Sequence, residues 1–408
     1  ILRNPLNPAV SLPENPGLYL HVPYCAGKCG YCSFHSLPLR NCPASEPERM
    51  TAALLERARA LAERFGVSDF ATAYIGGGTP TSPRPAILRT LLEGAARLGA
   101  GASFLEWTIE ANPESLSVET LRILKDAGVD RISLGFQSGQ EEALRGAGRN
   151  AGASEGLRAL ETAAVWKGRL SVDLMIGLPG QDPEGVRADI ERAAAAGAEH
   201  LSIYGLTVEE GTTLEASVRD GSLALPTEDR ETELWSAVTE ACGSAGYLRY
   251  EVSNWARPGA ECRHNQNYWR GGAWIGSGPS AVSSAPLQDG STLRIQETRD
   301  HGAYLQDPGA FAREEIIPPA TAAFEAVMTA FRTREGLDSG AFRDRFGASP
   351  EDMLPRTFAK WSVFLETGPR GPAPSDRLLD ILNPFLLDCL SEMEGRAAGR
   401  IRASGGPA

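Results

Sequence analysis

Three cysteines stand at Cys25, Cys29 and Cys32, in the run Tyr24-Cys25-Ala26-Gly27-Lys28-Cys29-Gly30-Tyr31-Cys32-Ser33-Phe34. The spacing C-x3-C-x2-C follows an apolar stretch, Leu18-Tyr19-Leu20-His21-Val22. Thiolates suit soft metal ions and iron–sulfur clusters. A cubane 4Fe–4S cluster needs four attachments, and one loop here supplies three, leaving the fourth iron open to a small chelating ligand. The competing readings are unrelated loop cysteines or part of a zinc site. Zinc sites usually pair two C-x2-C knuckles or add histidines at set distances, and no second knuckle is present.

Cysteines that share a cluster must be held by strands and helices, and the chain shows a regular alternation of the two. Short apolar runs at Leu18–Val22, Ala73–Ile75, Phe104–Ile109, Arg131–Leu134, Leu170–Ile176 and His200–Tyr204 read as strands. Amphipathic stretches lie between them, the first over 48–65 with Leu54, Leu55, Ala58 and Leu61 on one face. Strand alternating with helix implies a parallel sheet with right-handed crossovers. Each strand ends in a Gly-rich or polar segment, the place where β/α barrels build their active face. Six units predict an α/β fold with a partial, open (β/α)6 barrel; a doubly wound open sheet is the alternative. The cysteine loop, the glycine run at 76–78, Glu110, Gln137 and Asp173 should then converge on one mouth.

At that mouth, Gly76-Gly77-Gly78-Thr79-Pro80 offers backbone amides and carbonyls to a ligand, with no side chain to block approach. Glu110 can take an ammonium or ribose group. Asp173 interrupts an apolar strand and needs a partner, which ribose hydroxyls would supply. Arg149 can hold a carboxylate as a two-pronged fork.

Together these segments resemble the radical SAM superfamily, and within it the HemN/HemW branch. The resemblance is carried by Val22-Pro23-Tyr24-Cys25, Tyr74 to Thr81, Ile109 to Pro113, Leu134 to Ser138 and Val172 to Gln181, and runs from about Leu18 to Ser284. It implies a 4Fe–4S cluster on Cys25, Cys29 and Cys32, with S-adenosylmethionine chelating the open iron. It further implies contacts to that ligand from Tyr19, Tyr31, Gly77, Gly78, Thr79, Glu110, Gln137, Arg149 and Asp173. Cleavage by an electron from a reduced donor would give methionine and a 5′-deoxyadenosyl radical.

Phe34 stands where the oxidases of the branch carry a fourth cysteine, as in HemW-like proteins. The segment His264-Asn265-Gln266-Asn267-Tyr268-Trp269 resembles the H-N-x-x-Y-W motif of that side of the branch. There the resemblance implies a haem chaperone, with haem as cargo, contacts from His264, Tyr268 and Trp269, and an acceptor protein that the sequence does not name. Cys262 is a further candidate haem ligand. The alternatives are an oxygen-independent coproporphyrinogen III oxidase or another radical SAM enzyme acting on tetrapyrroles. The branch pattern G-x-G-A-G-A-H-S reads Gly276 to Ser283 here, with Val282 in place of its histidine.

The expected domains are an N-terminal extension (1–17), the barrel (18–285), a small helical, winged-helix-like C-terminal domain (286–396) and a flexible tail (397–408). Hydrophobic residues make up 42% of the 408, enough for a large core. The net charge of −12 argues against a nucleic-acid partner, which calls for a basic face. Apolar runs stay below the roughly 18 residues of a membrane span, and the start lacks a signal-peptide core. A cytoplasmic protein is therefore expected, even if its haem acceptor is a membrane protein.

Overall fold

A computed structural model describes residues 12, 15–99 and 104–404, with side chains to 395. Most of the expected extension and residues 405–408 of the expected tail lie outside the described residues.

The six expected strands form, as Gly17–Val22, Thr72–Gly77, Glu106–Ala111, Arg131–Gln137, Arg169–Ile176 and His200–Gly205. Each pairs in parallel with the next, in sequence order. A doubly wound sheet would reverse direction after the first strand; this one does not, and its edges stay apart, so the sheet is an open partial barrel.

The strands are buried on both faces because helices cover the outside. Helix Glu46–Arg64 buries Met50, Leu54, Ala58 and Leu61, and Val118–Ala127 ends on Gly128 at φ +92°, the left-handed cap that glycine favours. Pro183–Ala195 starts on the Asp182 side chain, which accepts from the Gly185 amide.

The sheet is wider than six strands. Trp274–Ser277 adds a seventh parallel strand beside the first, and Val282–Pro286, Thr292–Gln296 and Arg313–Ile317 extend that edge antiparallel. The sheet thus runs past residue 285, where the barrel was expected to end. On the far side, Asn254–Ala256 pairs antiparallel with the sixth strand.

Beyond Ile317 the chain is helical, with Pro319–Ala330, Ser339–Phe346 and Leu382–Ser404 around Phe331, Phe342, Leu354 and Phe385. One small hairpin, Leu365–Thr367 with Pro372–Pro374, completes it. The last helix continues to Ser404, through the first part of the expected tail. This region is tied to the barrel by backbone bonds from the Val252 amide to the Arg332 carbonyl and from the Arg334 amide to the Tyr250 carbonyl.

Candidate functional site

The cysteine loop leaves the first strand and is pinned at Gly30 from two sides. The Gly30 amide donates to the Gly148 carbonyl, while the Leu214 amide donates to the Gly30 carbonyl. A Cβ at Gly30 would stand 2.7 Å from the Ala147 carbonyl oxygen, so only glycine fits that approach. All three thiols are free and partly exposed. Among the described residues no three His, Cys, Asp or Glu side chains are grouped as a single metal ion would need. A cubane makes a different demand, because each thiolate takes its own iron.

Hydrogen bonds run from the strand ends to the sulfurs. Thr79 Oγ1 donates to Cys25 Sγ at 3.6 Å, and Asn112 Nδ2 donates to Thr79 Oγ1 at 2.6 Å. Arg149 Nη2 donates to Asn112 Oδ1 at 2.9 Å, and its Nη1 lies 3.3 Å from Cys29 Sγ. Asn150 Nδ2 adds a second donor to Cys29 at 3.8 Å. The second, third and fourth strand ends are therefore bridged from Cys25 to Cys29. Donors aimed at sulfur suit thiolates that carry a cluster, and such bonds tune its potential. Burial, offset by hydrogen bonds from Thr79 and Ser36, raises the Cys25 thiol above its ordinary value.

Arg149 differs from its expected role. A guanidinium has five N–H donors. Four are used, on Cys29, on Tyr31 Oη at 3.4 Å, on Asn112 and on the Gly135 carbonyl at 2.8 Å. Only Nε is buried without a partner. The residue is a strut with one donor to spare, not an open fork.

The glycine run also differs. The Gly77 amide donates to Glu110 Oε2, the Gly78 amide to the Val22 carbonyl and the Thr79 amide to the Tyr24 carbonyl. These amides are spent on protein. The glycines serve contact instead: a Cβ at Gly77, where φ is +106°, would meet the His21 ring, and one at Gly78 the Tyr24 backbone.

Glu110 Oε1 accepts from Tyr74 Oη at 2.9 Å. Burial, with Asp173 nearby, pushes its carboxyl up to about 7. Asp173 Oδ1 accepts from Ser133 Oγ at 2.9 Å, and burial raises it too. The hydrogen bonds to both carboxylates come from neutral groups, and Arg149 offsets the burial of Asp173 only in part. Gln137 closes the fourth strand at φ +68°, beside a register shift between Gly135 and Gln137. Such local strain gathers at sites that must aim a side chain. Tyr19 Oη bonds His21 Nδ1 at 3.0 Å inside the same mouth.

The expected haem contacts separate. His264 is fully buried, with Nδ1 2.7 Å from Thr72 Oγ1 and Nε2 2.7 Å from Tyr268 Oη. Its ring stacks on Tyr74 at 5.3 Å, and burial lowers it to about 4. Neither nitrogen is left for iron, because the residue plugs the inside of the barrel. Cys262 is likewise buried, its thiol donating to Glu106 Oε1 at 3.2 Å. Glu106 also takes the His264 amide and Arg131, which ties the start of helix Arg263–Trp269 to the third and fourth strands. Tyr268 reaches a groove beside the cysteine loop, together with Val282. Trp269 lines a different hollow, with Arg270 and Arg334.

Sequence reasoning passed over Asn112, Asn150 and Tyr74. Asn112 and Tyr74 lie in two segments that carry the resemblance, Ile109 to Pro113 and Tyr74 to Thr81, and those positions were the available signal; Asn150 gave none beyond adjacency to Arg149.

An open parallel barrel with a cysteine loop at its mouth matches the radical SAM superfamily model over residues 19–193. The chain is 38% identical over 279 residues to the heme chaperone HemW of Mycobacterium tuberculosis, covering 66% of this chain and 70% of that protein. It is 36% identical over 343 residues to HemW of Escherichia coli, covering 83% and 88%. It is also 33% identical over 393 residues to the mitochondrial radical S-adenosyl methionine domain-containing protein 1 of Danio rerio, covering 92% and 87%. Among solved structures, coproporphyrinogen III oxidase (HemN) of Escherichia coli superposes with a TM-score of 0.75 at 20% identity, over 92% of this chain and 90% of that one. The chain belongs to the HemW family of the radical SAM superfamily. No helix among the described residues is long and apolar enough to cross a membrane.

Proposed function

We propose that this chain binds a 4Fe–4S cluster and S-adenosylmethionine, and carries haem for delivery to an acceptor protein. The observation that carries the cofactor reading is the hydrogen-bond bridge from Cys25 through Thr79, Asn112 and Arg149 to Cys29. Cys25, Cys29 and Cys32 hold three irons. When bound, the cluster supplies the electron that cleaves the sulfonium ligand. Glu110 holds the ligand's ammonium group, in its ionised form. Asp173 accepts from ribose hydroxyls, and Arg149 Nε meets the ligand carboxylate. Gln137 and Tyr19 border the same space, and the barrel mouth limits entry of water. Haem carriage is supported by the HemW relatives. Phe34 in the place of the oxidases' fourth cysteine favours a carrier over coproporphyrinogen oxidation.

The test is anaerobic. Protein reconstituted with iron and sulfide is given S-adenosylmethionine and dithionite, and 5′-deoxyadenosine is assayed with and without haem. Haem transfer to an apo-acceptor is followed in parallel. Binding of haem with passage to an acceptor is expected; turnover of coproporphyrinogen with no haem binding contradicts the proposal.

A further inference from the structure

An open groove of about 370 Å3 runs beside the cysteine loop, within the size range of ligand sites, roughly 300–1,000 Å3. Phe34, His35, Tyr268, Trp274, Val282 and Arg299 line it. The Phe34 ring, two residues after the third cysteine, is 68% exposed. Tyr268 and Trp274 meet edge to face at 4.6 Å, so two more aromatic rings line it. Arg299 is exposed and close enough to His35 to depress its basicity.

The chain has five histidines, and three gather here. His21, His35 and His301 follow one another at ring separations of 6.5 and 4.8 Å. His21 has both nitrogens on protein oxygens, Tyr19 Oη and the His35 carbonyl. His200 and His264 are engaged in the same way, at both nitrogens. His35 Nε2 and both nitrogens of His301 are buried with no hydrogen-bond partner. Buried polar atoms are nearly always paired, so three orphans in one place point to a missing ligand. His35 borders the groove, and His301 backs its ring.

We propose that this groove seats the haem and that His35, not His264, is the axial ligand to its iron. Aromatic rings in the lining suit contact with the macrocycle, and Arg299 suits its propionates. Burial, then the neighbouring His301 and His21 rings, Arg299 and Lys28, hold His35 down to about 4, so its imidazole is neutral, the form that binds iron. His35 must turn about its Cβ–Cγ bond to present Nε2, and that torsion is soft. The proposal rests on the haem-carrying reading above and adds its location and ligand.

The test is haem titration of the reconstituted full chain, followed by the Soret band and by electron paramagnetic resonance. Wild type should show an imidazole-ligated haem. His35→Ala should bind about tenfold or more weakly, and added imidazole should restore the wild-type spectrum. His35→Met keeps most of the side-chain volume and should convert the signature to a thioether ligand. Arg299→Ala should weaken haem but not haem dimethyl ester, which lacks the carboxylates. If wild type binds haem and both His35 variants keep its spectrum, this assignment fails and the haem-carrying reading stands. If wild type binds no haem, both fall.

Discussion

Arg149 Nη1 lies 3.3 Å from Cys29 Sγ while its Nη2 holds Asn112 Oδ1 and the Gly135 carbonyl. One partly buried cation thus joins the cysteine loop to the ends of the third and fourth strands. Arg149→Ala removes a charged donor from a sulfur and strands two buried acceptors. The fold should lose about 2–3 kcal/mol. The cluster should be retained less well and reduced at a more negative potential, since hydrogen bonds to sulfur raise it. Iron content and an EPR-monitored redox titration check both. Arg149→Lys should restore little, because a point charge cannot span four acceptors.

Glu110 gives a pH dependence with a definite sign. Burial raises its carboxyl to about 7. Between its unfolded value and 7 the folded chain holds a proton that the unfolded chain has lost, so stability falls as pH rises across that window. In the role proposed for it Glu110 holds the ligand's ammonium as a carboxylate, so affinity should fall as pH drops below 7. Calorimetric titration with S-adenosylmethionine at pH 6 and 8 checks this, and Glu110→Gln should bind weakly at both.

Glu251 marks the junction with the helical region. Its Oε2 accepts from the Ser253 amide at 3.1 Å, and Oε1 is buried without a partner. Burial again pushes it to about 7, and the same sign follows. Glu251→Gln should raise stability at pH 8 by about 1–3 kcal/mol and change little at pH 5. Thermal melts at the two pH values decide it; a larger gain at pH 5 contradicts the account.

His264 should behave as a core residue. His264→Ala removes a buried ring and leaves Thr72 and Tyr268 unpaired, at a cost of about 2–4 kcal/mol. The haem spectrum of the surviving folded protein should be unchanged. Urea unfolding and the Soret maximum report the two effects separately.

Much of this was legible in the sequence. The six parallel strands showed because each β-branched run is followed by a Gly-rich or polar end and then a helical period. The seventh, Trp274–Ser277, did not, since four residues with two small ones give no pattern. The cysteine spacing was plain because its ligands lie within one loop. What was hidden depends on pairing across the chain. Sequence places Arg149 just after a helix but cannot show that four of its donors are spent. It places His264 in a motif but cannot show that Thr72, 192 residues away, takes Nδ1. The glycine run looked like a ligand cradle because the partners of its amides, Val22, Tyr24 and Glu110, are set only by the sheet register.

The central claim is that Cys25, Cys29 and Cys32 hold a cubane with one iron open. The most direct measurement is Mössbauer and EPR spectroscopy of anaerobically reconstituted protein, before and after S-adenosylmethionine. The account predicts a 4Fe–4S signal in which one iron site changes when the ligand is added, and its loss when the three cysteines become alanine. Zinc in place of iron, or a cluster that survives the triple substitution, would contradict it.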